Sequence, residues 1–375
     1  MRLLVSYQTF FRLILRHIPP ELAHTFAART LGAAGRIGPL RRAVKDRLGA
    51  SDPILRVHAF GRSFSTPLGV AAGVDKNATW YEGLGMIGFG CVEVGTATAR
   101  PQAGFRGRRI ERLIAAGGLL NWMGFPNDGA AAIARRLDRS RPDDVVIGAN
   151  IGKSAPVAVD QASEDYRRSV RALAHVADYL VLNVSSPNTL GLRGMQATEI
   201  LRALICDVQD ELAQLQLDVP LLVKLGPDLA DEQIDAIADL ALEHNLAGLI
   251  ATNTTIDRTG YESRYRRPDE PAGLSGAPLK PRALEVLRRL RARVGDDLVL
   301  VAVGGIGTPH DAWDRILAGA TLVQAYTGFV YGGPLWPRAV NDYLAARARE
   351  RGCSSIQEMV SADARSAGPE HVHTA

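Results

Sequence analysis

The residues of this chain that can do chemistry fall in short, glycine-punctuated clusters. Lys76 and Lys224 each sit at or near the end of a short apolar stretch. A lysine so placed can form a Schiff base with a carbonyl, or stand as a fixed cation beside an anionic ligand. Asn121, Asn150, Asn183, Asn188 and Asn253 form a second group. An uncharged amide supplies donors and acceptors together. A set of amides therefore suits a planar ligand with carbonyls and ring N–H groups, such as a nucleobase, a pyrimidine-like ring or an isoalloxazine. The third group is glycine: Gly276 in Gly273-Leu274-Ser275-Gly276, the pair Gly304-Gly305, and Gly328 after Tyr326-Thr327. Glycine lets backbone N–H groups approach phosphate oxygens closely, so a phosphorylated ligand is expected. Ser185, Ser186 and Thr189 lie in Asn183-Val184-Ser185-Ser186-Pro187-Asn188-Thr189. No G-x-S-x-G elbow accompanies them, which argues against a serine hydrolase. By spacing alone Ser186 reads as a hydroxyl in a turn.

These clusters need a scaffold that brings them to one place. After residue 66, eight short apolar runs alternate with amphipathic stretches: 67–75, 89–96, 145–152, 179–186, 221–226, 247–254, 298–305 and 322–328. The runs are too short for helices, and helix-period segments such as 231–243 and 281–294 follow most of them. That alternation predicts a parallel sheet. Eight units suit an α/β fold of the closed (β/α)₈ TIM-barrel type, with a doubly wound open sheet as the alternative. Nearly every run ends in a polar cluster: Asp75-Lys76, Thr96, Asn150, Asn183 to Asn188, Lys224, Thr252-Asn253-Thr254, Gly304-Gly305 and Tyr326-Thr327. In such barrels the active site lies at the C-terminal strand ends.

Residues 1–48 form an N-terminal helical extension ahead of a 49–346 barrel domain. Leu3, Tyr7, Phe10, Phe11, Ile14 and Ile18 recur at helical spacing, with Arg2, Ser6, Arg12 and Arg16 between them. Pro19-Pro20 breaks the pattern, and a second helix begins there, with Gly32, Gly35 and Gly38 expected to end it. An amphipathic helix of this kind can lie in a bilayer surface. A helix packed on the barrel is the alternative. No stretch reaches the roughly 18 uninterrupted apolar residues of a spanning helix. Residues 347–375 read as a tail with a frayed helix followed by disorder. The net charge of +4 and the absence of basic runs interleaved with aromatics argue against nucleic acid. Three scattered cysteines, Cys91, Cys206 and Cys353, read as free thiols, and no metal-ligand spacing is present. His371 and His373 are assigned to the tail and not to a metal site.

Nine ordered motifs are similar to those of the class 2, quinone-dependent dihydroorotate dehydrogenases. They are Ala72-Gly-Val-Asp-Lys76, Asn121-Trp-Met-Gly-Phe125, Asn150-Ile-Gly-Lys153, Asn183 to Thr189, Val223-Lys224, Ala251 to Thr255, Gly273 to Gly276, Val303-Gly-Gly305 and Gln324-Ala-Tyr-Thr327. The resemblance spans roughly 20–345. It implies oxidation of dihydroorotate to orotate, FMN as hydride acceptor, and a membrane quinone as final acceptor. It implies FMN contacts at Ala72, Gly73, Val74, Asp75, Lys76, Thr96, Asn150, Asn183, Lys224, Thr252, Gly276, Gly305, Tyr326 and Thr327. Substrate contacts are implied at Lys76, Asn121, Trp122, Met123, Gly124, Phe125, Asn183, Asn188, Asn253 and Thr254. Ser186 falls at the family's catalytic base, where class 1 members carry cysteine. Trp122 departs from the pattern, since many members carry arginine there. His24 and Arg112 match polar residues lining a quinone tunnel, and a peripheral location on the cytoplasmic face of the inner membrane follows. Another FMN-dependent barrel oxidoreductase, or an inactive binding barrel, is the alternative.

Overall fold

The computed structural model describes residues 2–140, 145–261 and 272–360, with side chains from Tyr7 onward. The Leu3 position of the apolar pattern, and the reading of His371 and His373, lie outside the described side chains. Among the described residues there are thirteen strands: β1 (Val57–Ala59), β2 (Arg62–Phe64), β3 (Leu68–Val70), β4 (Cys91–Ala97), β5 (Ile110–Leu113), β6 (Gly118–Asn121), β7 (Val146–Ile151), β8 (Tyr179–Asn183), β9 (Leu221–Leu225), β10 (Gly248–Ala251), β11 (Gly273–Gly276), β12 (Val299–Val303) and β13 (Leu322–Ala325).

Eight of them close a barrel in the order β10-β12-β13-β3-β4-β7-β8-β9, all parallel. Each coincides with one of the eight apolar runs, β4 passing the end of its run by the single residue Ala97. The runs read as strands because both faces are buried: β9 and β8 have no exposed position. Leu182, Leu222 and Val223 are fully enclosed, and burial of each such side chain stabilises the fold by roughly 1.5–3 kcal/mol. Seven of the eight strands stop sooner than their runs, so Ser186, Asn253 and Gly304 fall in the loops beyond the strand ends, and Thr327 opens the short helix Thr327–Gly332.

Two smaller sheets close the ends. The β1–β2 hairpin covers the end where the strands begin, with Phe60 5.2 Å from the ring of Tyr179 and Arg62 paired to Asp178 at 2.9 Å. The antiparallel sheet β5-β6-β11 rises at the opposite end. It carries its own small core of Leu113, Leu120, Trp122, Ala272 and Leu274.

The N-terminal extension is three helices: α1 (Arg2–Leu13), α2 (Pro20–Arg36) and α3 (Gly38–Leu48). Gly32 and Gly35 do not end α2, contrary to the sequence reading. They are buried where α2 crosses α4 (Tyr81–Met86) and the turn before it. A Cβ on Gly35 would lie 2.6 Å from the Gly83 nitrogen, and one on Gly32 2.9 Å from the Thr79 oxygen. Here glycine serves helix contact, not helix termination. The tail also differs from expectation. The helix Trp336–Glu350 continues through a buried Ala348, and the chain then packs as far as Val360. Ile356 donates its N–H to the Ile54 carbonyl at 2.8 Å, and Ile356 and Met359 join the main core. Residues 361–375 lie outside the description.

Candidate active site

The loops at the C-terminal strand ends surround a cavity with about 1510 Å³ of empty space, its open mouth included. Most of the sequence-predicted residues meet there. Ala72, Gly73, Lys76, Thr96, Asn121, Met123, Phe125 and Asn183 line it. So do Ser186, Asn188, Lys224, Thr252, Asn253, Thr254, Gly276, Gly305, Tyr326 and Thr327.

The amides are cross-linked. Asn183 Nδ2 donates to Thr96 Oγ1 at 2.9 Å and to Asn150 Oδ1 at 3.1 Å. Asn253 Nδ2 donates to Ser185 Oγ at 3.1 Å and to Asn183 Oδ1 at 3.3 Å. Asn188 Nδ2 donates to Asn121 Oδ1 at 3.0 Å, while Asn121 Nδ2 donates to the Gly273 carbonyl at 3.1 Å. The β6–β11 pairing that sets Asn121 opposite Gly273 thus places the Asn121 loop against the Ser186 loop. Ser186 is buried, and its Oγ accepts from the Asn188 N–H at 3.3 Å. The Thr189 hydroxyl is buried without a partner among the described residues.

Arg193 ties this loop down. Its guanidinium donates to the Ser185 carbonyl at 3.3 Å, to Asp228 at 2.6 Å and to the Thr254 carbonyl at 2.9 Å. Three contacts from one planar donor fork hold the 185–193 loop against the 253–256 loop.

Lys76 donates to the Gly73 carbonyl. Burial, with the Arg109 cation adding and Asp75 opposing, pulls its pKa down to about 8. Asp75 itself faces away from the cavity. Its carboxylate accepts from the backbone of Thr79 and Trp80, each at 2.9 Å, and burial raises its pKa against those bonds. It caps a turn and so orients Lys76 from behind.

Some predicted residues fall outside the cavity wall. Val74 and Trp122 are core, and the Gly124 carbonyl is held by Gln102 at 2.9 Å. Asn150 stands behind Thr96, accepting from its hydroxyl at 2.6 Å. His24 packs edge-on to Trp80, and burial, reinforced by the Lys76 cation, pushes its pKa down to about 3. It is therefore neutral at ordinary pH. Arg112 lines a second cavity with Arg16, His17 and Arg108. Its Nη1 donates to the carbonyls of Leu15 and Ile18 at 3.1 and 2.7 Å, and its guanidinium lies over the Phe11 ring.

Sequence reading missed two residues, Gln324 on the cavity floor and Glu93 beneath it. Glu93 is fully buried inside the barrel. It accepts from Asn150 and Gln324 at 2.8 Å each and pairs with Lys224 at 3.4 Å. The available signal was a lone carboxylate within the apolar run 89–96.

The late-strand glycines make a cradle. Gly276, Gly304 and Gly305 all have positive φ, and a Cβ on Gly276 would lie 2.3 Å from the Gly117 oxygen. Ser275 and Thr327 hydroxyls meet at 2.9 Å beside them. A closed parallel barrel with positive-φ glycines at this end, a lysine on the floor and amides on the wall has the layout of an enzyme site. The chain belongs to the dihydroorotate dehydrogenase family, whose model matches residues 54–347. It is 52 % identical over 366 residues to the dihydroorotate dehydrogenase (quinone) of Thermobifida fusca (strain YX), covering 95 % of this chain and 96 % of that protein. It is 51 % identical to the protein of the same name from Streptomyces coelicolor, covering 96 % and 99 %. Among solved structures it resembles the Eimeria tenella enzyme in complex with ferulenol, with TM-score 0.82, 37 % identity, and 92 % and 96 % of the two chains covered.

Proposed function

We propose that the protein oxidises (S)-dihydroorotate to orotate in de novo pyrimidine (UMP) biosynthesis, with FMN as hydride acceptor and a membrane quinone as final electron acceptor. The observation that carries this reading is the meeting in one cavity of Ser186, Lys76, four cross-linked asparagines and the glycine cradle.

FMN fits the residues present. The cradle at Gly276, Gly304-Gly305 and Thr327 leaves backbone approach for a phosphate, which any Cβ at Gly276 would block. The buried Gln324 Oε1, without a partner among the described residues, offers an acceptor on the floor. Thr96, Lys224 and Thr252 would hold the ring, and Ala72 and Gly73 would flank it. When bound, FMN supplies a two-electron acceptor for the hydride and passes those electrons on to the quinone.

Substrate recognition follows from the ligand's chemistry. Dihydroorotate carries two ring carbonyls, two ring N–H groups and a carboxylate. Asn121, Asn183, Asn188 and Asn253 can serve the ring in both directions, with Thr254 beside them. Lys76 supplies the charge for the carboxylate. Ser186 takes the proton from C5 as the hydride leaves C6, and the C5–C6 double bond forms. The Asn188 N–H aimed at Ser186 Oγ stabilises negative charge on that oxygen during transfer. Ser186 gives up its own hydroxyl proton as it takes the one from C5, and that proton passes by the Thr189 hydroxyl or a water chain to solvent.

The electrons must then reach an apolar acceptor. No helix among the described residues is long and apolar enough to cross a membrane. Phe10, Leu13, Ile14, Leu22, Phe26, Ile37 and Leu40, all on or between α1, α2 and α3, are exposed. Such a surface suits docking on a bilayer at the cytoplasmic face of the inner membrane. His24 and Arg112 lie on the inner side of these helices and would meet the quinone's oxygens.

The test is anaerobic. The purified protein should show flavin absorbance, dihydroorotate should bleach it, and a quinone, not fumarate, should restore it. Absence of bleaching, or equal recovery with fumarate, would refute this reading.

A further inference from the structure

Glu93 has no place in the chemistry described so far, yet it occupies the centre of the barrel. It lies on β4 between Val92 and Val94, and its side chain is wholly excluded from solvent. A carboxylate taken out of water costs several kcal/mol unless it is paired and hydrogen-bonded. The fold meets that cost from three other strands: Asn150 of β7, Lys224 of β9 and Gln324 of β13. A well-packed apolar group would fill the same position with equal or better stability. Retaining a charge there asks for a reason other than stability.

We propose that Glu93 is a positioning residue that sets the reduction potential of the bound flavin through its ion pair with Lys224. The inference rests on the FMN reading above.

The geometry supports it in three ways. Lys224 Nζ and the Gln324 amide both line the cavity floor, and both are held from beneath by the same carboxylate. Glu93 therefore fixes which way each donor faces. Because Gln324 gives its Nε2 to Glu93, its Oε1 is left as the acceptor on the floor. Asn150, the third donor, links Glu93 to Thr96 and Asn183 on the wall. The neighbouring titratable groups stay neutral: burial, with Glu93 adding, pushes Cys91 up to about 12, and Tyr179 is raised well above its ordinary range. Glu93 and Lys224 are thus a net-zero pair under the cavity.

The electrostatic consequence has a definite sign. A flavin gains negative charge when it takes electrons. The Lys224 cation favours that state, and in a water-poor site the effect is strong. The Glu93 charge offsets it. With lysine alone the flavin would accept the hydride readily and release electrons to the quinone reluctantly. The pair sets a potential between the two half-reactions.

The experiment uses flavin-loaded protein and dye-equilibration titration of the midpoint potential. Glu93→Gln is close to isosteric and keeps an acceptor oxygen. It should raise the potential, shifting the dihydroorotate–flavin equilibrium toward reduced flavin by about tenfold or more. Quinone turnover should fall while flavin reduction is kept. Glu93→Asp should return part of the way to the parent value. Lys224→Met, with FMN added to saturation, should shift the potential in the opposite direction. Yellow Glu93→Gln protein with the parent potential would overturn the proposal. If Glu93→Gln does not fold, the double variant Glu93→Met with Lys224→Met decides instead. A potential equal to that of Lys224→Met alone would overturn the proposal, and one raised toward the parent would support it. Parent protein that carries no flavin would bring down the FMN reading itself, and this inference with it.

Discussion

The floor of the barrel cavity and the outer face of α1–α3 differ sharply in how completely they are satisfied. On the floor, Glu93, Asn150, Asn183 and Thr96 share one hydrogen-bonded network, and nearly every polar atom has a partner. On the helices, Leu13 is 70 % exposed and Phe26 69 % exposed. Seven of the thirteen large exposed apolar side chains among the described residues lie between Phe10 and Leu40. A finished network fixes reacting groups before any ligand arrives, which is where catalytic advantage comes from. An unfinished apolar face is completed by something else, and the proposed bilayer surface is of the right chemistry. The two regions should therefore fail in different ways.

The largest expected effect lies in the finished region. Ser186→Ala should reduce dihydroorotate oxidation by roughly 10²–10⁴-fold, the usual worth of a positioned proton acceptor. FMN and orotate binding should be retained, because the amide network does not route through the Ser186 hydroxyl. Rapid-mixing flavin reduction checks this. A variant that reduces flavin at the parent rate would remove Ser186 from the chemistry. Next comes the unfinished face. Leu22→Glu with Phe26→Glu should leave flavin reduction by dihydroorotate untouched, since both side chains point to solvent. Each loses about 1.5–3 kcal/mol of apolar burial in the bilayer, so vesicle association should fall by roughly a hundredfold or more. Sedimentation with anionic vesicles measures it. Undiminished binding would show that the face meets something else.

A smaller effect sharpens the same contrast through charge. Lys76 has a pKa lowered to about 8, first by burial and then by Arg109. Below that pH it is the cation that binds the substrate carboxylate. As pH rises through about 8 the free enzyme loses this charge, so kcat/KM for dihydroorotate should be level to about pH 7.5 and fall above pH 8. The effect on stability has the opposite sign. The folded state holds this proton less tightly than the unfolded state does, so its contribution to stability improves as pH rises from about 8 toward the ordinary lysine value. His24, with its pKa near 3, is neutral throughout this range and adds no limb. A kcat/KM level through pH 9.5 would contradict the assignment of Lys76 to the carboxylate.

Legibility in the sequence followed the same division. The barrel strands were readable because each is a continuous apolar run ending in polar chemistry, a purely local signal. Lys76 and the amides other than Asn121 were found for that reason. The β5-β6-β11 sheet was not readable, because β11 pairs with β6 across roughly 150 residues of chain and each strand has only four residues. Glu93 was absorbed into its run as one charge among apolar neighbours. Its meaning comes from Asn150, Lys224 and Gln324, which no local window contains. Asp75 shows the converse. The resemblance implied a cofactor contact there, and its carboxylate accepts from the backbone of Thr79 and Trp80, a role that no family motif announces.

Gly35 offers the finest test, because it joins the two regions. Its φ is ordinary for a helix, and alanine there would gain up to about 1 kcal/mol of helix propensity. Space opposes the change. The added Cβ would stand 2.6 Å from the Gly83 nitrogen and 3.0 Å from the Glu82 carbonyl carbon, both backbone atoms that no rotamer change can move. Overpacking of this kind costs roughly 1–3 kcal/mol, so Gly35→Ala should be destabilising on balance by about 1 kcal/mol, read as a lowered denaturation midpoint. The strain should be relieved by α2 moving away from α4, since the outer face of α2 is open and the barrel behind α4 is closely packed. The substrate half-reaction should then keep its rate, and quinone turnover should drop a few-fold as His24 shifts from Trp80. Loss of both half-reactions together would show that α2 supports the barrel itself. An unchanged quinone rate in a measurably strained variant would show that the helices carry no part of the quinone path.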